Sequence, residues 1–236
     1  MENLNEMNGL RKKNAIEAVL FDMDGTVFDT ERIYYRAWMS AAKAVGFAGD
    51  MDAVMQRIFG VSEHDIGIYF RKTYGSDFPF DRMQAIRAEL IAEEIERNGV
   101  PLKEGVPEVF DAIASRGIVL ALVSSAPRFR IDDFLRRTDL QSVFSHIVSG
   151  DRVAQSKPSP DIFLLAAREM GVPPSACLVA EDSHNGVLAA RAAGMRVALI
   201  PDLQPPTDEI LPYVTHLLPT LADLADCLDR LCDAAE

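Results

Sequence analysis

Short apolar runs alternate with stretches of helical periodicity along most of this 236-residue chain, and few folds accommodate that order. Residues 15–21, 118–123, 176–180 and 195–200 read as strands, with 146–148 a shorter candidate. They are almost continuously apolar, as expected for strands covered on both faces. Helical patterns separate them at 107–116, 129–137, 161–171 and 185–193. This alternation predicts an α/β fold, a doubly wound, mainly parallel Rossmann-like sheet. Between the first strand and the others, residues 31–46, 51–59, 63–74 and 80–98 all show helical spacing. Thr30 is a candidate N-cap for the first of these helices. The expected organisation is a core of residues 1–31 and 102–236, interrupted by an all-helical unit at 32–101.

Composition narrows the range of partners. The net charge of −12 repels a phosphate backbone, so nucleic acid is not an expected ligand. No apolar stretch reaches the ~18–20 residues that span a bilayer, so no membrane association is expected. Residues 1–13 lack the apolar stretch of a secretory signal and read as a polar lead-in. Three cysteines, Cys177, Cys227 and Cys232, suit neither a zinc site nor a disulfide framework. Reduced thiols and a cytoplasmic location are the expectation, with a monomer or weak dimer.

The chemistry should lie beyond the carboxyl ends of the strands, where open α/β sheets bind ligands. The first strand ends in Asp22-Met23-Asp24-Gly25-Thr26. Two carboxylates so close repel unless one is protonated or a cation lies between them. A hard divalent ion with oxygen ligands resolves the conflict, and Mg2+ needs only one or two protein carboxylates. A calcium loop of the EF-hand type is excluded, because Val27 and Ile33 stand where it needs glycine and glutamate. The second strand ends in Ser124-Ser125-Ala126, which either caps a helix or cradles a phosphate. Lys157 lies in a loop between Ser156 and Pro158, stiffened by prolines and suited to holding an anion. A second carboxylate pair, Glu181-Asp182, precedes Ser183, and Asp182 or Ser183 is a candidate helix cap.

In this order, the four segments resemble the motifs of the haloacid dehalogenase superfamily, specifically its beta-phosphoglucomutase-like phosphatase branch with a helical cap. The resemblance spans residues 15–225. It implies a phosphomonoester hydrolase acting on a small phosphorylated metabolite such as a sugar phosphate. It also assigns roles. Asp22 is the nucleophile that forms an aspartyl-phosphate, and Asp24 is the general acid and base, its pKa raised by the neighbouring carboxylate. Ser124 and Lys157 hold phosphoryl oxygens, and Gly25, Thr26, Ser125 and Ala126 surround the phosphate. Mg2+ is held by Asp22, the Asp24 carbonyl and Asp182, with Glu181 near. Tyr34 and Glu63 face substrate from the cap, and Trp38 belongs more to the cap's own core.

An alternative is an intramolecular sugar phosphomutase. Tyr34 replaces the histidine, and Glu63 the arginine, that beta-phosphoglucomutases carry at these places. On that ground a phosphatase is favoured, since a carboxylate at 63 weakens binding of a second phosphate. A phosphoacceptor module is disfavoured, because it needs neither a helical cap nor a second aspartate. Arg128 and His184 are expected to be solvated helix residues rather than ligands.

Overall fold

The computed structural model describes residues 16–233, so the polar lead-in and residues 234–236 lie outside it, as do the Cys227 and Cys232 side chains. Among the described residues, six strands form one sheet: β1 (Ala18–Phe21), β2 (Val119–Ser124), β3 (His146–Ser149), β4 (Cys177–Glu181), β5 (Arg196–Leu199) and β6 (His216–Leu217). Their spatial order is β3-β2-β1-β4-β5-β6, and every neighbouring pair is parallel. The α/β expectation is met.

The chain builds outward from β1 through β2 to β3, then crosses back to lay β4, β5 and β6 on the other side. The order therefore reverses between β1 and β4, the topological switch point at which such sheets form a ligand crevice. Alternate residues of β1 feed the two faces. Val19 and Phe21 pack with α5 (Val106–Ser115), α6 (Arg128–Arg137) and α9 (Ala222–Asp233). Ala18 and Leu20 pack with α7 (Asp161–Met170) and α8 (His184–Ala192). Strand β6 lies beyond what periodicity reveals, since two residues carry no measurable alternation, whereas helix α9, though amphipathic over 12 residues, is not among the expected elements.

The other four helices are α1 (Glu31–Ala44), α2 (Met51–Ile58), α3 (Glu63–Tyr74) and α4 (Phe80–Asn98). They share an apolar cluster centred on Phe70, which stacks on Trp38 (5.9 Å between centroids) and lies 5.0 Å from Phe80. The chain's exit from the sheet and its return run side by side, with the Asp29 amide donating to Pro101 (2.9 Å) and the Lys103 amide to Val27 (2.9 Å). The chain thus enters and leaves the helical group at one place.

Candidate active site

Four loops bring the expected residues together at the carboxyl ends of β1, β2 and β4. Immediately after β1, the chain folds into a tight loop in which the Val27 and Phe28 amides both donate to the Met23 carbonyl (3.0 and 2.9 Å). Gly25 turns that loop with φ at +83°, a conformation that costs other residues energy. It is also a point of close approach, since a Cβ there would lie 2.2 Å from Asp182 Oδ2. Gly25→Ala is therefore expected to lower stability by about 1–3 kcal/mol through strain and displaced Asp182. Thermal unfolding checks this, and an unshifted Tm would disprove the packing argument.

Lys157 is fully buried, with its ammonium 5.0 Å from the Phe163 ring. It donates to Asp22 Oδ1 (2.5 Å) and Glu181 Oε1 (2.6 Å). Burial opposes its charge, but Asp22 and Glu181 outweigh that and hold its pKa above the usual lysine value. The second oxygen of Glu181 accepts from the Asp182 amide (3.0 Å) and from the amide and hydroxyl of Ser183 (both 2.9 Å). Glu181 is thereby locked as the partner that aims Lys157. Of the two candidate caps, Ser183 takes the role, accepting from the Gly186 amide (3.1 Å).

Asp22, Glu181 and Asp182 are all buried and offer carboxylate oxygens within 4.8 Å of one another. Burial is the main force raising the Asp22 pKa to about 8, with Glu181 adding repulsion and Lys157 pulling the other way. Burial, then Glu181, pushes Asp182 well above the ordinary carboxylate range. One lysine does not neutralise this group. The surplus of hard oxygen donors fits a divalent ion such as Mg2+.

Asp24 accepts a hydrogen bond from the Thr30 hydroxyl (2.6 Å). Thr30 occupies the N-cap position of α1 as expected, but its side chain caps nothing there and is committed to Asp24 instead. The Asp24 pKa is raised, as the general-acid role needs, but burial rather than the neighbouring carboxylate is the main cause. Ser124 ends β2, and its hydroxyl oxygen accepts from the Ala126 amide (3.0 Å), leaving the hydroxyl proton to donate.

Two of the other expected phosphate contacts have prior partners. The Gly25 amide donates to Phe28 (2.8 Å), and the Ser125 hydroxyl donates to the Gly60 carbonyl (3.0 Å), which ties β2 to the helical group. Thr26 is buried and its hydroxyl has no hydrogen-bond partner. Arg128 pairs with Asp132 on the exposed face of α6, as expected. The His184 ring lies 2.8 Å from the Pro205 carbonyl, away from the acidic group.

A cavity of about 90 Å3 opens above these residues, enclosed by Asp22, Asp24, Ser124 and Asp182 below and by the helical group above. Tyr34 reaches it from α1 with a buried hydroxyl that faces Asp24. Trp38 is both core and wall, since it lies in the aromatic cluster and also borders the cavity.

Three residues escaped the sequence reading. Glu31 is buried in the cavity wall, and burial with the charges of Asp24 and Asp22 raises its pKa well above the ordinary range. As the first residue of α1, it passes for an ordinary acidic helix start. The other two are Arg87 on α4 and Arg130 on α6. Glu63 pairs with both, so a carboxylate at 63 does not mean a cavity without guanidinium groups. Arg130 stands one helical turn from the phosphate loop's end, a spacing that could have flagged it.

A parallel sheet carrying paired carboxylates and a buried lysine at its switch point places the chain among α/β proteins equipped for phosphate chemistry. The chain belongs to the haloacid dehalogenase-like hydrolases, whose family model matches residues 16–194. It is a phosphatase of that family. A phosphorylated carbohydrates phosphatase from Thermotoga maritima is 35% identical over 184 residues, covering 76% of this chain and 82% of that protein. Protein CbbY from Rhodobacter capsulatus is 33% identical over 196 residues, covering 79% and 86%. The crystal structure of a CbbY mutant from Rhodobacter sphaeroides in complex with xylulose-(1,5)bisphosphate superposes with a TM-score of 0.75. It is 28% identical and covers 89% of this chain and 96% of that one. Among the described residues, no helix is long and apolar enough to cross a membrane.

Proposed function

We propose that this phosphatase is a Mg2+-dependent phosphomonoesterase of small phosphorylated metabolites, sugar phosphates among them, acting through an aspartyl-phosphate on Asp22. The observation that carries the reading is the placement of Asp22, buried beside Lys157 and Asp182 at the reversal point of the sheet. The Asp22 carboxylate attacks phosphorus, and the ester oxygen leaves. Lys157 and the Ser124 hydroxyl hold phosphoryl oxygens where negative charge accumulates. Asp24, oriented by Thr30 and with its pKa raised by burial, gives its proton to the leaving alkoxide. It then takes one from the water that cleaves the acyl phosphate. Asp22, Asp182 and the Asp24 carbonyl would hold Mg2+, with Glu181 near, and the ion would offset the repulsion between nucleophile and phosphate.

Helices α1–α4 (residues 32–101) act as the cap over a core of residues 1–31 and 102–236. The cavity of about 90 Å3 is smaller than the roughly 300–1,000 Å3 of small-molecule sites, so substrate enters with the cap lifted. Tyr34 presents its buried hydroxyl beside Asp24, at the wall the bound ester would meet.

Phosphate release from para-nitrophenyl phosphate and a panel of sugar phosphates tests the reading. EDTA is expected to abolish release, Mg2+ to restore it and to raise Tm by binding the folded state. Release undiminished by EDTA would refute the metal dependence. One observation favours the mutase alternative, the pair of guanidinium groups in the cavity wall. Conversion of glucose 1-phosphate to glucose 6-phosphate without phosphate release would establish it.

A further inference from the structure

We propose that Asp65 is a positioning residue for Lys157: on closing, the helical group sets the Asp65 carboxylate on the Ser156 hydroxyl and so fixes the turn that presents the ammonium. The inference rests on the phosphatase reading above, in which Lys157 holds phosphoryl oxygens, and adds that this clamp is completed from the helical group.

Core side chains grip the helical group along residues 56–60. Ser125 donates to the Gly60 carbonyl (3.0 Å), Asn185 to the Phe59 carbonyl (2.8 Å) and Gln204 to the Gln56 carbonyl (3.2 Å). These bonds end on backbone and fix where the segment lies. A further contact differs in kind, because the Ser156 hydroxyl donates to a side chain, Asp65 Oδ2 on α3. Ser156 directly precedes Lys157.

Local sequence explains why Asp65 is poised for that contact. Ser62 begins α3 as its N-cap, accepting from the Asp65 amide (3.2 Å) in a Ser-x-x-Asp helix start. The Ser62 hydroxyl donates in return to Asp65 Oδ2 (3.0 Å), so the carboxylate meets the core already oriented. A hydroxyl on an ionised carboxylate makes a charge-assisted bond, stronger than one between neutral groups.

On the core side, the Ser159 amide donates to the Ser156 carbonyl (2.9 Å), closing a tight turn with Lys157 and Pro158 at its centre. Ser156 is the first corner of that turn. Helix α7 supports Lys157 through the Phe163 ring, 5.0 Å from the ammonium. Asp65 and α7 therefore hold the turn from two elements, and lifting the helical group leaves α7 alone. An error of about 1 Å in a positioned group can cost on the order of a hundredfold in rate. Neither Asp65 nor Ser156 lines the cavity, so their influence on substrate passes through Lys157.

Asp65→Ala and Ser156→Ala are each expected to lower kcat by about tenfold or more with KM changed less than about threefold, because the lost contact acts on the transition state. Asp65→Asn keeps an acceptor oxygen and should recover part of the rate. The double variant should be no slower than the slower single one, since both remove the same contact. Asp50→Ala supplies the comparison: it strips the N-cap of α2, whose carboxylate accepts from the Ala53 amide (3.1 Å), and touches no core residue. It should lower Tm and leave kcat within about twofold. Equal kcat losses in Asp50→Ala and Asp65→Ala, additive losses in the double variant, or wild-type kcat in Asp65→Ala overturns the proposal. Binding of orthovanadate, read by calorimetry, needs no turnover and should weaken about tenfold in Asp65→Ala. Weakened vanadate binding in a protein that releases no phosphate from any ester would count against the catalytic reading alone.

Discussion

Replacing Asp22 with asparagine is expected to cut phosphate release on the order of 10^3-fold or more while leaving the fold in place, because the proposed nucleophile is lost and little else. The substitution is isosteric. The Asp22 amide still donates to Ala180 (3.0 Å), and the neighbouring strand register does not depend on the side chain. Electrostatics favours tolerance. Burial and Glu181 already penalise the ionised form of Asp22, so a neutral amide relieves part of that penalty, although it gives up the strong contact with Lys157. Steady-state phosphate release at saturating substrate, with Tm measured alongside, checks both halves. Turnover within tenfold of the wild type in the folded variant would remove Asp22 from the mechanism.

The second large effect is on stability. Lys157→Met is expected to cost about 3–5 kcal/mol, since it leaves Asp22 and Glu181 buried without their common cation. Against a total of roughly 5–15 kcal/mol this is severe, and for a chain of this size it corresponds to a Tm lower by roughly 6–20 °C. Activity should vanish as well if, as proposed, the same ammonium is the phosphoryl clamp. The double variant Lys157→Met with Glu181→Gln separates the two consequences. Neutralising the stranded carboxylate should recover part of the stability and none of the activity. If the double variant unfolds no later than the single one, the buried ion pair is not what Lys157 contributes.

The sheet was legible in the sequence because a parallel strand buried on both faces leaves an unbroken apolar run. Cys177–Glu181 and Val119–Ser124 stand out for that reason. Strand β6 did not, being two residues held by its place beside β5. The acidic centre was legible too, since Asp22, Asp24 and Glu181-Asp182 lie at strand ends and the topology gathers such ends. Lys157 was located, but its burial was not foreseen, because its partners are 135 and 24 residues away in the chain. Thr30 shows the opposite error. Locally it is a good N-cap, yet its hydroxyl serves Asp24 across the loop.

What the linear chain determined, then, was the layer order, the insertion of four helices after β1, and the carboxylates and lysine set at strand ends. These are properties of local periodicity and of residues adjacent to it. What only the tertiary structure decided was which charges meet. Glu31, Arg87 and Arg130 look like ordinary solvated helix residues by spacing, and become parts of one cavity only when the helical group closes on the sheet. The physical reason is distance: Coulomb and hydrogen-bond energies depend on separation in space, and Glu63 and Arg130 are brought within 2.8 Å across 67 residues of chain by packing alone.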